Sequence, residues 1–257
     1  MKIPRITSRA ICLPRDIGAA TGTAGTPTAM GATAGDYRWS AVYPCLYSPN
    51  IETALVQVET DAGLTGWGEA QAPLAPQVAA TIVDRLLGPA IVGEDFSEPT
   101  PERIAALWQR MYSTMRVRGQ TGGFMLDAIA GVDLALWDIA GQAAGLPVAQ
   151  LISTTPKTRI PAYRSGMRPG ETDSGGFPLV KMFYDTPGAS EFLDHIDAVQ
   201  RTGTQVAVDA LWRHTPESAL AFGRELDARS AVWFEAPLPP EDVADHAALA
   251  QQLHTPI

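Results

Sequence analysis

Three short apolar runs, each with one charged residue, recur in the last third of the chain. They read Leu-Val-Lys-Met-Phe, Val-Ala-Val-Asp and Val-Trp-Phe-Glu, and they contain Lys181, Asp209 and Glu235 at steps of 28 and 26 residues. A step of this length fits one strand and one returning helix, which favours a parallel sheet with right-handed crossovers. Because side chains at the carboxyl ends of parallel strands converge on one face, we expect these three residues to share a site.

The repeat predicts part of a barrel. His254-Thr-Pro-Ile257 has the pattern of a further strand, and about a hundred residues follow the linker Ser153-Thr-Thr-Pro-Lys157. A closed eight-stranded (β/α) barrel takes about 250 residues. We therefore expect residues 154–257 to form about four strands, the first half of a TIM-type α/β barrel, with the second half absent from this chain.

The earlier part of the chain, residues 1–153, predicts a different domain. The predicted strands are residues 2–14, 51–60 and 64–69, and the predicted helices are residues 76–87, 101–115 and 123–144. Asp61-Ala-Gly63 supplies the hairpin turn, and Thr100 before Pro101 is a helix N-cap. The third helix is apolar on nearly all sides, so it must be buried between two layers. An antiparallel meander followed by a helical bundle is an α+β domain.

Composition excludes several classes of partner. The chain has 46% hydrophobic residues, and its 28 acidic against 19 basic residues give a net charge of −9 without a basic cluster. We therefore expect no nucleic acid partner. No stretch reaches the roughly 18 apolar residues of a membrane helix, so we expect no membrane partner and a cytoplasmic location. Cys12 and Cys45 lie in strand-like apolar surroundings, which predicts buried free thiols.

One long motif resembles a known family. Residues 128–152 read Ala-Ile-Ala-Gly-Val-Asp-Leu-Ala-Leu-Trp-Asp-Ile-Ala-Gly-Gln-Ala-Ala-Gly-Leu-Pro-Val-Ala-Gln-Leu-Ile. They resemble the capping-domain helix of the mandelate racemase and muconate lactonizing enzyme family of the enolase superfamily. Gly63-Leu-Thr-Gly-Trp-Gly-Glu69 is similar to the hairpin of that domain, and Ala162-Tyr163 to the first barrel strand. The resemblance implies an enolase-like capping domain in residues 1–153.

The resemblance also implies a Mg²⁺ site. In this family three strand-end acids bind Mg²⁺, the ion grips the substrate carboxylate, and a flanking base removes the proton α to it. Asp209 and Glu235 match the first two ligands, and Pro237 follows Glu235 as it commonly does in the family. The third acid normally follows the next strand, past Ile257, so the resemblance implies that the site is incomplete in this chain alone.

Lys181 lies on the strand that carries a Lys-x-Lys motif in the family, and two registers are open. In one, Lys181 is the first lysine and orients the substrate carboxylate, while Phe183 replaces the proton-abstracting second lysine. In the other, Lys181 is itself the catalytic base, with a pKa lowered by burial near the metal. Leu211 is a further departure, since the family often has asparagine there.

Four more residues are candidate substrate contacts. Tyr37, Trp39 and Tyr163 contact substrate by resemblance, and structural packing is the equal alternative. His214, just past the strand of Asp209, either faces substrate or is a solvent-exposed loop histidine. Residues 17–40 resemble the loop that covers the substrate in the family.

The resemblance implies a Mg²⁺-dependent lyase or isomerase that abstracts the proton α to a carboxylate of a small molecule. Acid-sugar dehydratase is the leading prediction, because a long capping loop suits a polar, extended substrate. The alternatives are a racemase or epimerase of a 2-hydroxy acid, and a catalytically inactive truncated remnant or interaction subunit. The missing third ligand, Phe183 and Leu211 favour the inactive remnant. Because assembly through the capping domain is common in the family, we expect a homo-oligomer.

Overall fold

The structure is a computed structural model that describes residues 1–14, 37–39, 45–184 and 189–257. The described residues form two compact units, each with its own cluster of buried apolar side chains. The first unit holds residues 1–14, 37–39 and 46–158, and the second holds Cys45 with the residues from 159 onwards. Most of the predicted substrate-covering loop, residues 17–40, lies outside the described residues.

The first unit contains an antiparallel sheet, as the meander pattern predicted. Its strands are β1 Arg5–Pro14, β2 Arg38–Trp39, β3 Leu46–Tyr47, β4 Asn50–Glu59 and β5 Thr65–Ala70. The main sheet has the order β1-β4-β5, and β2 pairs with β3 separately. Thr60 closes the hairpin between β4 and β5, because its N–H donates to the Leu64 carbonyl at 2.9 Å and its Oγ1 accepts the Leu64 N–H at 3.0 Å.

Helices then cover one face of this sheet. They are α1 Pro76–Ile82, α2 Gly88–Ile91, α3 Pro101–Arg116, α4 Phe124–Ala144 and α5 Val148–Ile152, with a π-helical turn at Val83–Leu87. The Oγ1 of Thr100 accepts the Arg103 N–H at 3.3 Å, which confirms the predicted N-cap of α3. No helix among the described residues is long and apolar enough to cross a membrane.

Helix α4 lies unusually close to β5 because the facing strand positions carry no side chain. A Cβ atom at Gly68 would lie 1.9 Å from the carbonyl oxygen of Gly131, and one at Gly66 would lie 2.1 Å from that of Ala135. Trp67, between the two glycines, has its side chain on the other face of the strand, where it is exposed. The backbone N–H of Trp67 donates to Asp138 Oδ2 at 2.9 Å. Backbone therefore meets backbone across this layer.

The second unit is a parallel sheet with helices on one face, which confirms the predicted α/β fold. Its elements are β6 Arg164–Ser165, β7 Leu179–Phe183, α6 Ala189–Gln200, β8 Gln205–Asp209, α7 Pro216–Ala228, β9 Phe234–Glu235 and α8 Val243–Ala250. The strand order is β6-β7-β8-β9 with every pair parallel, as in the first half of a TIM-type barrel. The Phe234 N–H donates to the Pro256 carbonyl at 2.8 Å, so the last residues lie alongside β9.

The two faces of the parallel sheet have different roles. Val180, Val206, Val208 and Phe234 are buried in the apolar cluster formed with α6 and α7. Because side chains alternate between the faces of a strand, the residues between them point to the other face. That second face carries the charged residues of the three sequence repeats.

The cysteines correct one prediction. Cys12 and Cys45 are unpaired, but both are exposed, so the expectation of buried thiols is wrong. Cys12 lies on β1 opposite Glu52, in a stretch of the strand where most residues are exposed. A β-branched, apolar neighbourhood therefore indicated a strand here without indicating which of its positions are covered.

Candidate active site at the carboxyl ends of the parallel strands

Two rows of side chains line the face of the parallel sheet opposite α6 and α7. The strand register places Lys181 beside Ala207, Phe183 beside Asp209, and Asp209 beside Glu235. Since residues two apart share a face, the first row contains Lys181, Ala207 and Trp233, and the second contains Phe183, Asp209 and Glu235. The 26-residue spacing of the two acids thus corresponds to direct neighbours on adjacent strands.

Lys181 bridges both acids. Its Nζ donates to Asp209 Oδ2 at 3.2 Å and to Glu235 Oε1 at 2.8 Å. The side chains of Lys181 and Asp209 are only 11% and 9% exposed, whereas that of Glu235 is 40% exposed. Ala207 is fully buried on the strand between Lys181 and Glu235, and its short side chain leaves room for the lysine to reach across. The structure therefore brings the three predicted site residues together.

The second oxygen of each acid has a local donor. The backbone N–H of Leu211 donates to Asp209 Oδ1 at 3.1 Å, and the indole N–H of Trp233 donates to Glu235 Oε2 at 3.1 Å. The chain is strained just after each acid, because Leu211 and Ala236 have φ angles of +58° and +48°. Strained backbone at a non-glycine position is typical of functional sites.

Burial and hydrogen bonding act in opposite directions on the charges of this site. Burial alone lowers the pKa of Lys181, but the hydrogen bonds to Glu235 and Asp209 outweigh it and raise the pKa above its usual value. Burial raises the pKa of Asp209, and the hydrogen bonds from Leu211 and Lys181 only partly offset this. The lysine is therefore held as a cation, which is the form that binds carboxylates.

Phe183 lies where the family motif would have its second lysine if Lys181 is the first. It pairs in register with Asp209, and its ring centroid lies 5.2 Å from the Nζ of Lys181. A phenyl ring at this distance attracts the ammonium but transfers no proton. Phe183 thus contributes packing and electrostatic attraction to this face.

Aromatic side chains flank the acids on the side of Glu235. Tyr163 is exposed, and its ring meets that of Trp233 edge to face at 5.1 Å between centroids. Tyr163 was a predicted substrate contact, and it is joined to Glu235 through Trp233. Sequence reasoning missed Trp233, although its position two residues before Glu235 places it on the same face of the strand.

The other two candidate contacts, Tyr37 and Trp39, lie in the first unit. The Tyr37 hydroxyl donates to Glu52 Oε2 at 2.9 Å and accepts the Ala75 N–H at 2.6 Å. Trp39 is an exposed residue of β2. Substrate contact by either residue stays a prediction.

His214 lies within an aromatic cluster. Its ring stacks on Tyr184 and on Phe222, each at 5.2 Å between centroids, and Phe222 belongs to the apolar cluster of the helix-covered face. Burial, and then the charge of Arg213, lower the pKa of His214. Its Nδ1 lies 3.2 Å from Ser218 Oγ, and its buried Nε2 has no hydrogen-bond partner among the described residues. A substrate role for His214 stays a prediction.

The donor atoms at the strand ends fit Mg²⁺ by their chemistry. Asp209 and Glu235 each direct one carboxylate oxygen at the Nζ of Lys181. Mg²⁺ prefers such hard oxygen ligands, and it is often held by one or two carboxylates together with water and substrate. Within the described ranges, no group of three or more His, Cys, Asp or Glu side chains is close enough together to hold a metal ion.

The fold and the strand-end acids define a class, that of proteins with an amino-terminal α+β domain followed by the parallel strands of a TIM-type barrel. Two family descriptions match the chain: "Mandelate racemase / muconate lactonizing enzyme, N-terminal domain" over residues 49–153 and "Enolase C-terminal domain-like" over residues 170–257. The chain belongs to the mandelate racemase/muconate lactonizing enzyme family of the enolase superfamily, whose enzymes bind Mg²⁺.

Named relatives extend these matches. A D-galactonate dehydratase of Pectobacterium atrosepticum is 32% identical over 224 residues, 79% of this chain and 56% of that protein. The chain thus spans little more than half the length of this relative. An enolase superfamily member from Agrobacterium tumefaciens superposes with a TM-score of 0.83 at 30% identity, covering 100% of this chain and 67% of the other. A racemase from Streptomyces coelicolor with bound magnesium shares the fold, with a TM-score of 0.75 at 23% identity, and the match covers 98% of this chain and 67% of the racemase.

Proposed function

We propose that the whole protein is a Mg²⁺-dependent acid-sugar dehydratase. In this reaction the proton α to the substrate carboxylate is removed and the β-hydroxyl group leaves as water. The observation that carries the proposal is the convergence of Asp209 and Glu235 on Lys181, at adjacent strand ends of a chain similar to D-galactonate dehydratase.

Each residue of the site has a role in this proposal. Asp209 and Glu235 would hold Mg²⁺, which supplies the positive charge that stabilises the negative charge developing on the substrate carboxylate as the α-proton leaves. Lys181 binds and orients that carboxylate. Its raised pKa supports this role, because a lysine held as a cation is a hydrogen-bond donor and a poor proton acceptor. This favours the register in which Lys181 is the first lysine of the motif.

Phe183 favours dehydration over racemisation. A racemase that works with two bases needs a proton-transfer group on each face of the α-carbon. Phe183 occupies the position beside Asp209 and has no such group. Dehydration needs proton abstraction from one face only, by a base that β7 does not supply, so the strand is compatible with a dehydratase.

The second candidate is a catalytically inactive relative. Besides Phe183 and Leu211, the structure favours it in one respect: among the described residues only two carboxylates meet at the strand ends, and an ammonium group bridges them. An inactive protein would keep the cap and the strands as an interaction surface. An assay for turnover separates the two candidates.

The test is a panel of acid sugars, D-galactonate included, with Mg²⁺. The present chain is assayed. If the encoding DNA continues in frame, the longer protein is assayed as well. We expect formation of a 2-keto-3-deoxy acid, detected as its semicarbazone. Asp209→Asn and Glu235→Gln should each lower kcat/KM by about 10²-fold or more. Asp245→Asn, at an exposed position of α8, is the matched control.

The outcomes separate the candidates. Absence of turnover with every acid sugar contradicts the dehydratase proposal. NMR in D₂O then decides between the alternatives. Exchange of the α-proton without loss of water indicates a racemase or epimerase, and no exchange indicates an inactive protein.

A homo-oligomeric assembly, which the family resemblance supports, and a cytoplasmic location, which the sequence pattern favours, are also proposals. Sedimentation velocity measures the first. A single species with the mass of one chain would contradict it.

A further inference from the structure

Asp209 and Glu235 have the same pattern of hydrogen bonds, except that the local donor follows Asp209 in the chain and precedes Glu235. Each gives one oxygen to Lys181 and the other to an N–H group two residues away. For Asp209 the second donor is the backbone of Leu211, and for Glu235 it is the indole of Trp233. As a result Asp209 Oδ2 and Glu235 Oε1 point at one position, which is now the Nζ of Lys181.

Glu235 depends on its side-chain donor more than Asp209 depends on its backbone donor. The Glu235 side chain is 40% exposed and has one more rotatable bond than aspartate, so water competes for its oxygens. The donor itself is fixed, because Trp233 lies in the sheet face and packs edge to face against Tyr163. A rigid indole N–H can therefore select one orientation of the Glu235 carboxylate.

We propose that Trp233 is a positioning residue for Glu235. Its indole N–H holds Oε2 and thereby turns Oε1 toward the position shared with Asp209 Oδ2. Only the assignment of that position to Mg²⁺ rests on the proposed function. The orientation of the Glu235 carboxylate depends on its hydrogen bonds with Lys181 and Trp233 and does not depend on the proposed function.

The lysines of the chain provide a direct measurement. The sequence has three, and Lys2 and Lys157 are exposed whereas Lys181 is buried between the acids. Pulse labelling with acetic anhydride, read by mass spectrometry, reports how often each amine is both accessible and unprotonated, because only the free amine reacts. We expect Lys181 to react most slowly, with Lys2 and Lys157 as references in the same molecule.

Trp233→Phe keeps an aromatic ring but removes the N–H. We expect it to raise the labelling rate of Lys181 about threefold to tenfold relative to the references, the range expected for loss of one net hydrogen bond. Trp67→Phe, at an exposed tryptophan of the first unit, should leave all three rates unchanged. An unchanged rate in a folded Trp233→Phe variant overturns the proposal.

A second variant tests whether Trp233 acts through Glu235. Glu235→Gln leaves the tryptophan in place and should also raise the Lys181 labelling rate. In the double variant the effects should not add, because both substitutions disrupt one interaction. Additive effects overturn the proposal. So does an unchanged rate in Glu235→Gln, which can be measured even if Trp233→Phe does not fold.

This test and the enzymatic test fail independently. Labelling needs neither metal nor substrate, so the expected labelling pattern without turnover contradicts only the dehydratase proposal. Turnover with an unchanged labelling pattern contradicts only the role of Trp233. In a protein that binds Mg²⁺, Trp233→Phe should also raise the Mg²⁺ dissociation constant severalfold, as measured by calorimetry.

Discussion

At the scale of single residues, Lys181 sets the charge balance of the strand-end site. One ammonium group faces two carboxylates, and its contacts at 3.2 and 2.8 Å leave it paired despite its burial. A buried charge is tolerated only when it is paired and hydrogen-bonded, and removal of one partner from such a group is strongly destabilising. Lys181 can reach Glu235 because the residue between them on β8, Ala207, has a small side chain.

Ala207→Leu tests that dependence. Ala207 is fully buried between Lys181 and Trp233 in the same row, so a larger side chain forces Lys181 away from Glu235. We expect the free energy of unfolding to fall by about 1–3 kcal/mol in urea denaturation, as for other overpacked sites. Ala228→Leu, at an exposed position of α7, should change it little. Equal stability of the two variants would show that the reach of Lys181 does not depend on a small residue at position 207.

Asp133 on α4 gives a pH-dependent prediction. Burial raises its pKa, and a hydrogen bond from Trp137 only partly opposes this. The unfolded chain, with a pKa near 3.9, therefore ionises more readily, and this residue destabilises the fold as pH rises through its folded pKa. Asp133→Asn cannot ionise but can still accept the Trp137 hydrogen bond.

We expect the stability difference between Asp133→Asn and the parent chain to grow in favour of the variant as pH rises from about 4 toward 7. Urea denaturation at a series of pH values measures it, with the lowest pH as the internal reference. A difference that is constant across the series would contradict the prediction.

At the scale of elements, the packing of α4 on β5 fixes the first unit. The inward positions of β5 are small, so the helix backbone approaches the strand backbone directly. The apolar character of α4 predicted burial between layers. The close approach itself was not predicted, since glycine at alternate strand positions indicates weak strand propensity before its packing partner is known.

Gly68→Ala should be severely destabilising. The added Cβ would lie 1.9 Å from the Gly131 carbonyl oxygen, and two backbones cannot move apart without disturbing the sheet. We expect a loss of about 3 kcal/mol or more in thermal or urea unfolding. Gly122→Ala is the matched control, since a Cβ there has no atom within 4 Å. Similar stability of the two variants would contradict the close approach.

At the scale of the whole molecule, the sequence predicted which strands and site residues are neighbours. It did not predict most of the side-chain contacts between them. The 26-residue step predicted that Asp209 and Glu235 lie together, and they are direct neighbours on β8 and β9. Strand periodicity also placed Lys181 on their face. It did not predict the hydrogen bond of Trp233, because the partner of a long side chain depends on its rotamer and on side chains of other strands. For the same reason the aromatic neighbours of His214 were not predicted.

The fold of the whole molecule should not depend on bound metal. Removal of divalent ions with excess EDTA should shift Tm by less than about 2 °C, which corresponds to under about 1 kcal/mol for a chain of this size. Added Mg²⁺ should raise Tm by an amount that grows with the logarithm of its concentration relative to its dissociation constant for the folded state. Cooperative unfolding caused by EDTA alone would contradict this prediction.

The bridging ammonium of Lys181 has a consequence for the biosynthesis of the protein. Two carboxylates brought together on adjacent strands would repel each other while the sheet assembles. Lys181 lies on the neighbouring strand and its ammonium group pairs with both carboxylates. A newly made chain can therefore neutralise the two acids and assemble the sheet without Mg²⁺. Small zinc domains differ, because their metal binding and folding are a single event. If the protein binds Mg²⁺ as proposed, folding would therefore come first and metal loading second.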